Sequence, residues 1–96
     1  MKKVTVAALR RLLTVGTEFE SHLPGARDPA LTTTVRRVAS RSAGILVSAV
    51  LDGPKAGSEI RLDWAGLTVT TDGPHYYLTH PAGGDVWFAR FTLRTT

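Results

Sequence analysis

The segment EIRLDW, residues Glu59–Trp64, alternates charged and apolar side chains without interruption, and it decides the fold class. Successive side chains of a strand point to opposite faces, so its three apolar residues are predicted to share one face of a half-buried strand. We expect that face to join the core, with Trp64 as a core anchor rather than a ligand-stacking residue. Turn-forming residues precede the segment at Asp52–Ser58 and follow it at Ala65-Gly66.

Short runs of the same kind extend in both directions from this segment, separated by turns that contain Gly and Pro. The predicted strands are Thr17–Leu23, Thr32–Ser40, Ile45–Leu51, Glu59–Trp64, Leu67–Thr71, Tyr76–His80 and Val86–Arg94. The almost wholly apolar run Ile45–Leu51 is typical of a central strand buried on both sides. Val35 and Val38 are out of phase with strict alternation, which predicts a β-bulge near Arg36-Arg37.

The last two runs are predicted to form a hairpin. In its final strand, the residues predicted to lie on the core face are Trp87, Ala89, Phe91 and Leu93. Two registers remain open: one pairs Tyr77 with Ala89, and a slip of one residue pairs Leu78 there and turns Tyr77 outward. Whichever tyrosine faces outward is expected to join Phe88 in an exposed patch flanked by Arg90. We interpret this patch as a candidate protein-binding site, together with the irregular segment Pro24–Leu31.

The beginning of the chain predicts one short helix, from about Thr5 to Thr14. Thr5 is placed to cap it, and Gly16 to end it with a positive φ. The apolar residues that share one face are Val6, Leu9, Leu12 and Leu13. We expect this helix to close one end of the sheet; a partner-binding amphipathic helix is the alternative.

Together these elements predict a single domain over residues 1–96, with an N-terminal helix region at 1–16 and strands over 17–96. The expected architecture is mostly β: a helix-capped small antiparallel β-barrel or roll of about six to seven strands, Src-homology-3-like or OB-like. The chain has no cysteine, which excludes disulfides and thiolate zinc sites. A reducing cytoplasm fits best. Arg10 and Arg11 interrupt any apolar signal sequence, and no run is long enough for a membrane span.

The net charge of +4 is concentrated in the first half of the chain, which carries +5 against −1 in the second half. A basic surface of this kind attracts nucleic acid, although solubility alone also accounts for a charge of this size. The candidate nucleic-acid-binding residues are Lys2, Lys3, Arg10, Arg11, Arg36, Arg37 and Arg41. Binding through them is expected to be backbone-driven and salt-sensitive, with little sequence preference.

The sequence carries no recognisable catalytic or metal-binding constellation. His75 and His80 lie near Asp72 and Asp85, but the turn positions of the histidines are more typical of solvated side chains than of metal ligands. Glu18 and Glu20 share a strand face at a separation that the two carboxylates of glycosidases also use. Any Glu-X-Glu strand produces this separation, so it does not indicate a glycosidase. Ser58 and the His and Asp residues supply the members of a nucleophilic triad, but no nucleophile elbow is present, and there is no phosphate loop. We therefore expect no enzyme activity, no cofactor and no metal.

Three segments carry a resemblance: TVAALRRLLTVGT at Thr5–Thr17, TVRRV at Thr34–Val38, and LDW at Leu62–Trp64. The chain resembles small, largely uncharacterised proteins of phages and mobile elements in Gram-positive bacteria. It departs from them in carrying Arg, Ala or Gly at positions expected to be Asn- or Lys-rich. The chain has nine Arg against three Lys and no Asn or Gln, which indicates a GC-rich, actinobacterial type of host.

The resemblance implies an accessory protein that acts in the host cytoplasm by occupying a surface, without turnover. The leading hypothesis is a non-enzymatic binding module for a host macromolecule, either a protein surface or a nucleic-acid backbone. A sequence-nonspecific nucleic-acid-binding protein that uses the basic first half is the alternative, and a small-molecule enzyme comes last. A homodimer through an unpaired edge strand is also compatible with the pattern.

Overall fold

The computed structural model describes residues 2–23, 33–84 and 86–94. The expected segment Pro24–Leu31 lies outside the described residues. The helix is α1, Val6–Leu12, and a short 3-10 helix spans Pro81–Gly83. The strands are β1 Lys2–Val4, β2 Glu18–His22, β3 Thr33–Arg41, β4 Ile45–Val50, β5 Glu59–Asp63, β6 Thr68–Asp72, β7 His75–Thr79 and β8 Trp87–Leu93.

The eight strands of the described residues form one antiparallel sheet in the order β1-β6-β7-β8-β2-β3-β4-β5. The expectation of a mostly β domain with one short helix is confirmed. The strand count exceeds the expected six to seven because Lys2–Val4 pairs with β6, a strand that the local pattern did not indicate. Of the predicted barrel or roll, the closed barrel is contradicted. Among the described strands, the outer strands β1 and β5 do not pair with each other, so the sheet is open.

The start of α1 follows the local sequence closely. Thr5 lies in extended conformation, and its Oγ1 accepts a hydrogen bond from Ala8 N at 3.0 Å, which confirms it as the N-cap. Leu9 and Leu13 are fully buried in the core, whereas Leu12 is exposed. Gly16 has a φ of +92° and lies in the turn that follows, where its N–H donates to Val38 O at 2.8 Å.

Removal of this cap is expected to destabilise the protein measurably. Thr5→Ala leaves the Ala8 N–H without its acceptor and should cost about 1 kcal/mol in the free energy of unfolding. Urea denaturation checks this value, with Thr5→Ser as the matched control because serine keeps the hydroxyl oxygen. If Thr5→Ala and Thr5→Ser lose the same free energy of unfolding, the hydrogen bond to Ala8 N is not the source of that loss.

One face of the sheet carries the core, and we call it the inner face; the opposite face is the outer face. The buried core consists of Leu9, Leu13, Phe19, Val38, Leu46, Trp64, Val69, Leu78, Ala89 and Phe91. The predicted role of Trp64 is confirmed: its ring is fully buried, and its Nε1–H donates to Ser42 O at 3.0 Å. Phe19 and Phe91 belong to the same cluster, and their ring centroids lie 4.7 Å apart.

Strand β3 contains a bulge, but not where the sequence placed it. The register shifts between Val38 and Ser40, rather than at Arg36-Arg37. The mismatch between the two valines has a simpler origin. Val38 is buried in the core, while Val35 pairs with Glu20 and is half-buried on the outer face.

Strand β4 is not buried on both sides, contrary to the expectation from its apolar run. Its burial alternates strictly along the strand. Leu46, Ser48 and Val50 are buried on the inner face, whereas Ile45, Val47 and Ala49 are only half-buried. The outer face of β4 therefore remains partly accessible to solvent.

The β7–β8 hairpin adopts the register that turns Tyr77 outward. Leu78 pairs with Ala89, and Tyr77 pairs with Arg90. The next pair is Thr79 with Trp87, so the register shifts by one residue, which is a β-bulge.

This bulge reverses the expected roles of two aromatic residues. Phe88 turns with Ala89 to the inner face, where it packs against the core and stacks on His80 with ring centroids 4.2 Å apart. Trp87 lies instead beside Tyr77 on the outer face. The sequence-based assignment of Trp87 to the core and Phe88 to the surface patch is therefore wrong.

Candidate functional site

The structure does not gather the seven predicted nucleic-acid-binding residues on one surface. Lys2 and Lys3 lie on the outermost strand β1, and four strands separate them from β3, which carries Arg36, Arg37 and Arg41. The remaining two, Arg10 and Arg11, occupy the last turn of α1. A role for these residues in nucleic-acid binding stays a prediction.

Neighbouring Arg36 and Arg37 lie on opposite faces of β3. Arg36 faces inward and is only 5% exposed. Arg37 is exposed, and its Nη2 forms an ion pair with Glu18 Oε2 at 3.1 Å. The second oxygen of Glu18 lies 3.5 Å from Arg94 Nη1, so one carboxylate compensates two arginines on the outer face.

The predicted protein-binding residues also separate. Tyr77 and Arg90 face outward from adjacent strands, whereas Phe88 packs inward. In place of Phe88, the outer face presents four rings on β2, β7 and β8, which we call the aromatic strip: His22, His75, Tyr77 and Trp87.

The rings of the aromatic strip contact one another in sequence. Tyr77 meets Trp87 edge-on with ring centroids 5.1 Å apart. His22 lies 6.2 Å from Trp87, and His75 lies 6.4 Å from Tyr77. All four residues are half-buried, so each is held in place and still offers part of its surface to a ligand.

Threonines orient the two histidines of the strip. His22 Nδ1 lies 2.9 Å from Thr33 Oγ1, and His75 Nδ1 lies 2.8 Å from Thr92 Oγ1. Each threonine stands on the strand next to its histidine, directly opposite it in the register. Each hydrogen bond engages the Nδ1 side of its ring, so the rest of the imidazole is the part that can meet a ligand.

Arg90 supplies a positive charge in the middle of the strip. It is the register partner of His22 on β2 and of Tyr77 on β7. Its Nε is buried without a hydrogen-bond partner among the described residues. Since a buried donor is normally satisfied, this arginine is suited to binding an anionic group that approaches the rings.

A concavity of about 420 Å³ adjoins the strip at Trp87. Lys3 on β1 and Pro81 after β7 also line it, together with threonine side chains of β6 and β7. The arrangement therefore places an aromatic ring, hydroxyl groups and a lysine around one shallow depression. Such a surface can stack a planar group and hold a nearby negative charge.

The residues weighed for catalysis or metal binding are spread over the structure. His75 belongs to the strip, while His80 stacks on Phe88, and Asp85 lies outside the described residues. Within residues 2–23, 33–84 and 86–94, no three His, Asp or Glu side chains lie close enough to hold a metal ion. Ser58 Oγ donates to the Lys55 carbonyl oxygen at 2.6 Å.

Sequence reasoning missed three of the four rings in the strip. The sequence predicts His75 as a solvated turn residue and Trp87 as a core residue, and it assigns no role to His22. The sequence does carry one signal for His22: Glu18, Glu20 and His22 are alternate residues of one strand, so His22 is expected on its outer face. Only the pairing of β2 with β8 shows that His22 lies beside Trp87 and Arg90.

Comparison with known proteins found no matching family model, no matching curated protein and no matching solved structure. In the part of the chain that the structure describes, no helix has the length and apolar character needed to cross a membrane.

Proposed function

We propose that this protein is a non-enzymatic binding module of the phage accessory type, acting in the host cytoplasm, and that single-stranded nucleic acid binds across its aromatic strip. The observation that carries the proposal is the contact between Tyr77 and Trp87 on the outer face, with Arg90 beside them. Sheets that present aromatic side chains in this way bind unstacked bases.

A single strand suits this surface better than a duplex. Bases in a duplex stack on each other, so their ring faces are not available to Tyr77 and Trp87. No sequence preference is needed, because every base has a π face. The threonine-lined depression beside Trp87 offers space for a second nucleotide unit.

The charges around the strip are few. Arg90 and Lys3 are placed to meet phosphates, whereas Arg37 and Arg94 are already compensated by Glu18. Binding should therefore depend on stacking more than on charge.

Helix α1 is best explained as a structural cover over part of the core. Its Leu9 and Leu13 are fully buried, which supports a lid rather than a partner-binding role. A Src-homology-3-like or OB-like relationship stays a prediction. A homodimer also stays a prediction; among the described strands, β1 and β5 each have one neighbour and offer a free edge.

A fluorescence titration with oligothymidylate tests the proposal. Trp64 is fully buried and Trp87 half-buried, so quenching of tryptophan emission on binding should report Trp87. If Arg90 and Lys3 neutralise two phosphates, a plot of log K against log salt concentration should have a slope of about −1.4. Neutralisation by all seven cations predicted from the sequence would give a slope of about −5. The matched control is a duplex of the same length, which should bind much more weakly.

Two outcomes would overturn this proposal. Absence of binding at low salt would leave a protein surface as the better partner for the same aromatic and arginine side chains. Binding with a steep salt slope and no quenching would instead place the nucleic acid on the basic first half of the chain, if that binding is lost when Arg37 and Arg41 are changed.

A further inference from the structure

Arg36 is a buried arginine on the inner face of the sheet. Arg36 is 5% exposed, and no acidic side chain of the described residues forms an ion pair with it. Its one side-chain hydrogen bond among those residues runs from Nε to Thr34 Oγ1 at 3.5 Å, the long limit for such a bond. Desolvation by burial lowers the pKa of Arg36 from its ordinary value, although a guanidinium still stays charged.

A buried hydroxyl also lies on β2, the strand next to Arg36. Ser21 Oγ has no hydrogen-bond partner among the described residues. Ser21 pairs with Thr34 in the β2–β3 register, and Thr34 is the hydrogen-bond partner of Arg36. Buried polar groups are normally satisfied, so this hydroxyl and the long hydrogen bond of Arg36 indicate polar groups whose contacts a ligand can complete.

Arg36 lines a cavity of about 390 Å³. Leu23, Val50 and Ile60 contribute apolar surface to this cavity, and Thr34 lines it beside the guanidinium. The volume lies in the range of small-molecule sites, which are mostly apolar with a few polar groups that orient the ligand. The cavity therefore suits an apolar body with one anionic end.

Charge and geometry select the kind of anion. A planar guanidinium binds a carboxylate through two parallel hydrogen bonds. Lys55 and Glu59 also line the cavity with opposite charges, so its lining carries one net positive charge, which a single carboxylate balances. We propose that this cavity binds a small monocarboxylate with a short apolar chain, held by Arg36 and independent of nucleic-acid binding on the outer face.

Amide NMR shifts of isotope-labelled protein, titrated with hexanoate, test this site. We expect saturable shifts at Thr34, Arg36 and Val50, and binding of hexanol at least about tenfold weaker because it lacks the charge. Inorganic phosphate should neither bind nor compete. Equal binding of hexanoate and hexanol, or shifts that never saturate, would overturn the proposal.

Three variants separate binding from folding. Arg36→Met should abolish hexanoate binding and raise the melting temperature, because it removes a buried charge that has no acidic partner in the described part of the chain. Arg36→Lys keeps the charge without the planar fork and should weaken binding about tenfold. Arg37→Met is the matched control, since Arg37 lies on the opposite face and should leave hexanoate binding unchanged.

One result from these variants would also contradict the site. Hexanoate binding retained in Arg36→Met would show that the guanidinium is not the receptor. If Arg36→Met does not fold, two other measurements decide whether Arg36 binds the carboxylate. They are the ratio of the dissociation constants for hexanoate and hexanol, and the affinity of Arg36→Lys for hexanoate.

Discussion

Replacement of Trp64 by alanine is expected to cost about 3–5 kcal/mol in the free energy of unfolding, the largest effect of any single change considered for this protein. The indole is fully buried, and it fills the core among Leu9, Leu46 and Val69. Truncation leaves a cavity there and also removes the donor to the Ser42 carbonyl oxygen. A domain of this size has only about 5–15 kcal/mol of stability.

Thermal denaturation followed by circular dichroism measures this loss. The melting temperature should fall by at least about 12 °C. Trp87→Ala is the matched control, since it removes the same side chain from the half-buried outer face and should cost less than half as much. Similar losses in both variants would mean that Trp64 does not anchor the core.

The second large effect is on binding. Trp87→Ala should weaken oligothymidylate binding about 5- to 150-fold, because one base–aromatic stack is worth about 1–3 kcal/mol. Tyr77→Ala should act in the same direction, and the double change should be less than additive because the two rings are in contact. The dissociation constants come from fluorescence anisotropy, which does not depend on tryptophan emission.

Salt dependence distinguishes stacking from charge in these variants. Trp87→Ala removes no cation, so the slope against log salt should not change, whereas Arg90→Gln should reduce its magnitude by about 0.7. Phe88→Leu is the matched control, because Phe88 is adjacent in the chain but packs on the inner face. Loss of binding in Phe88→Leu, with Trp87→Ala unaffected, would contradict the assignment of the outer face.

Much of the fold follows from local sequence. The Thr5 cap, the buried Trp64 and the β-rich architecture were all predictable, because capping and strict alternation depend only on neighbouring residues. The strand at Lys2–Val4 was not, since three residues with two lysines form a strand only when β6 offers them an edge.

The candidate site was less predictable than the fold. Tyr77 and Arg90 were found because alternation places them outward in one of the two possible registers. Trp87 was not found, because a single unpaired residue at the β7–β8 bulge exchanges the faces of Trp87 and Phe88. Nothing in the local pattern distinguishes these two neighbouring aromatic residues.

By itself, the sequence determined every described strand except Lys2–Val4. It also determined where the helix begins and that Trp64 lies in the core. These properties come from side-chain periodicity and local hydrogen bonds. Only the tertiary structure decided that β2 pairs with β8, which brings His22 beside Trp87, and that Arg36 is enclosed without an acidic partner among the described residues. The physical reason is that strand order and register are set by packing between distant segments, and a shift of one residue turns a side chain from one face to the other.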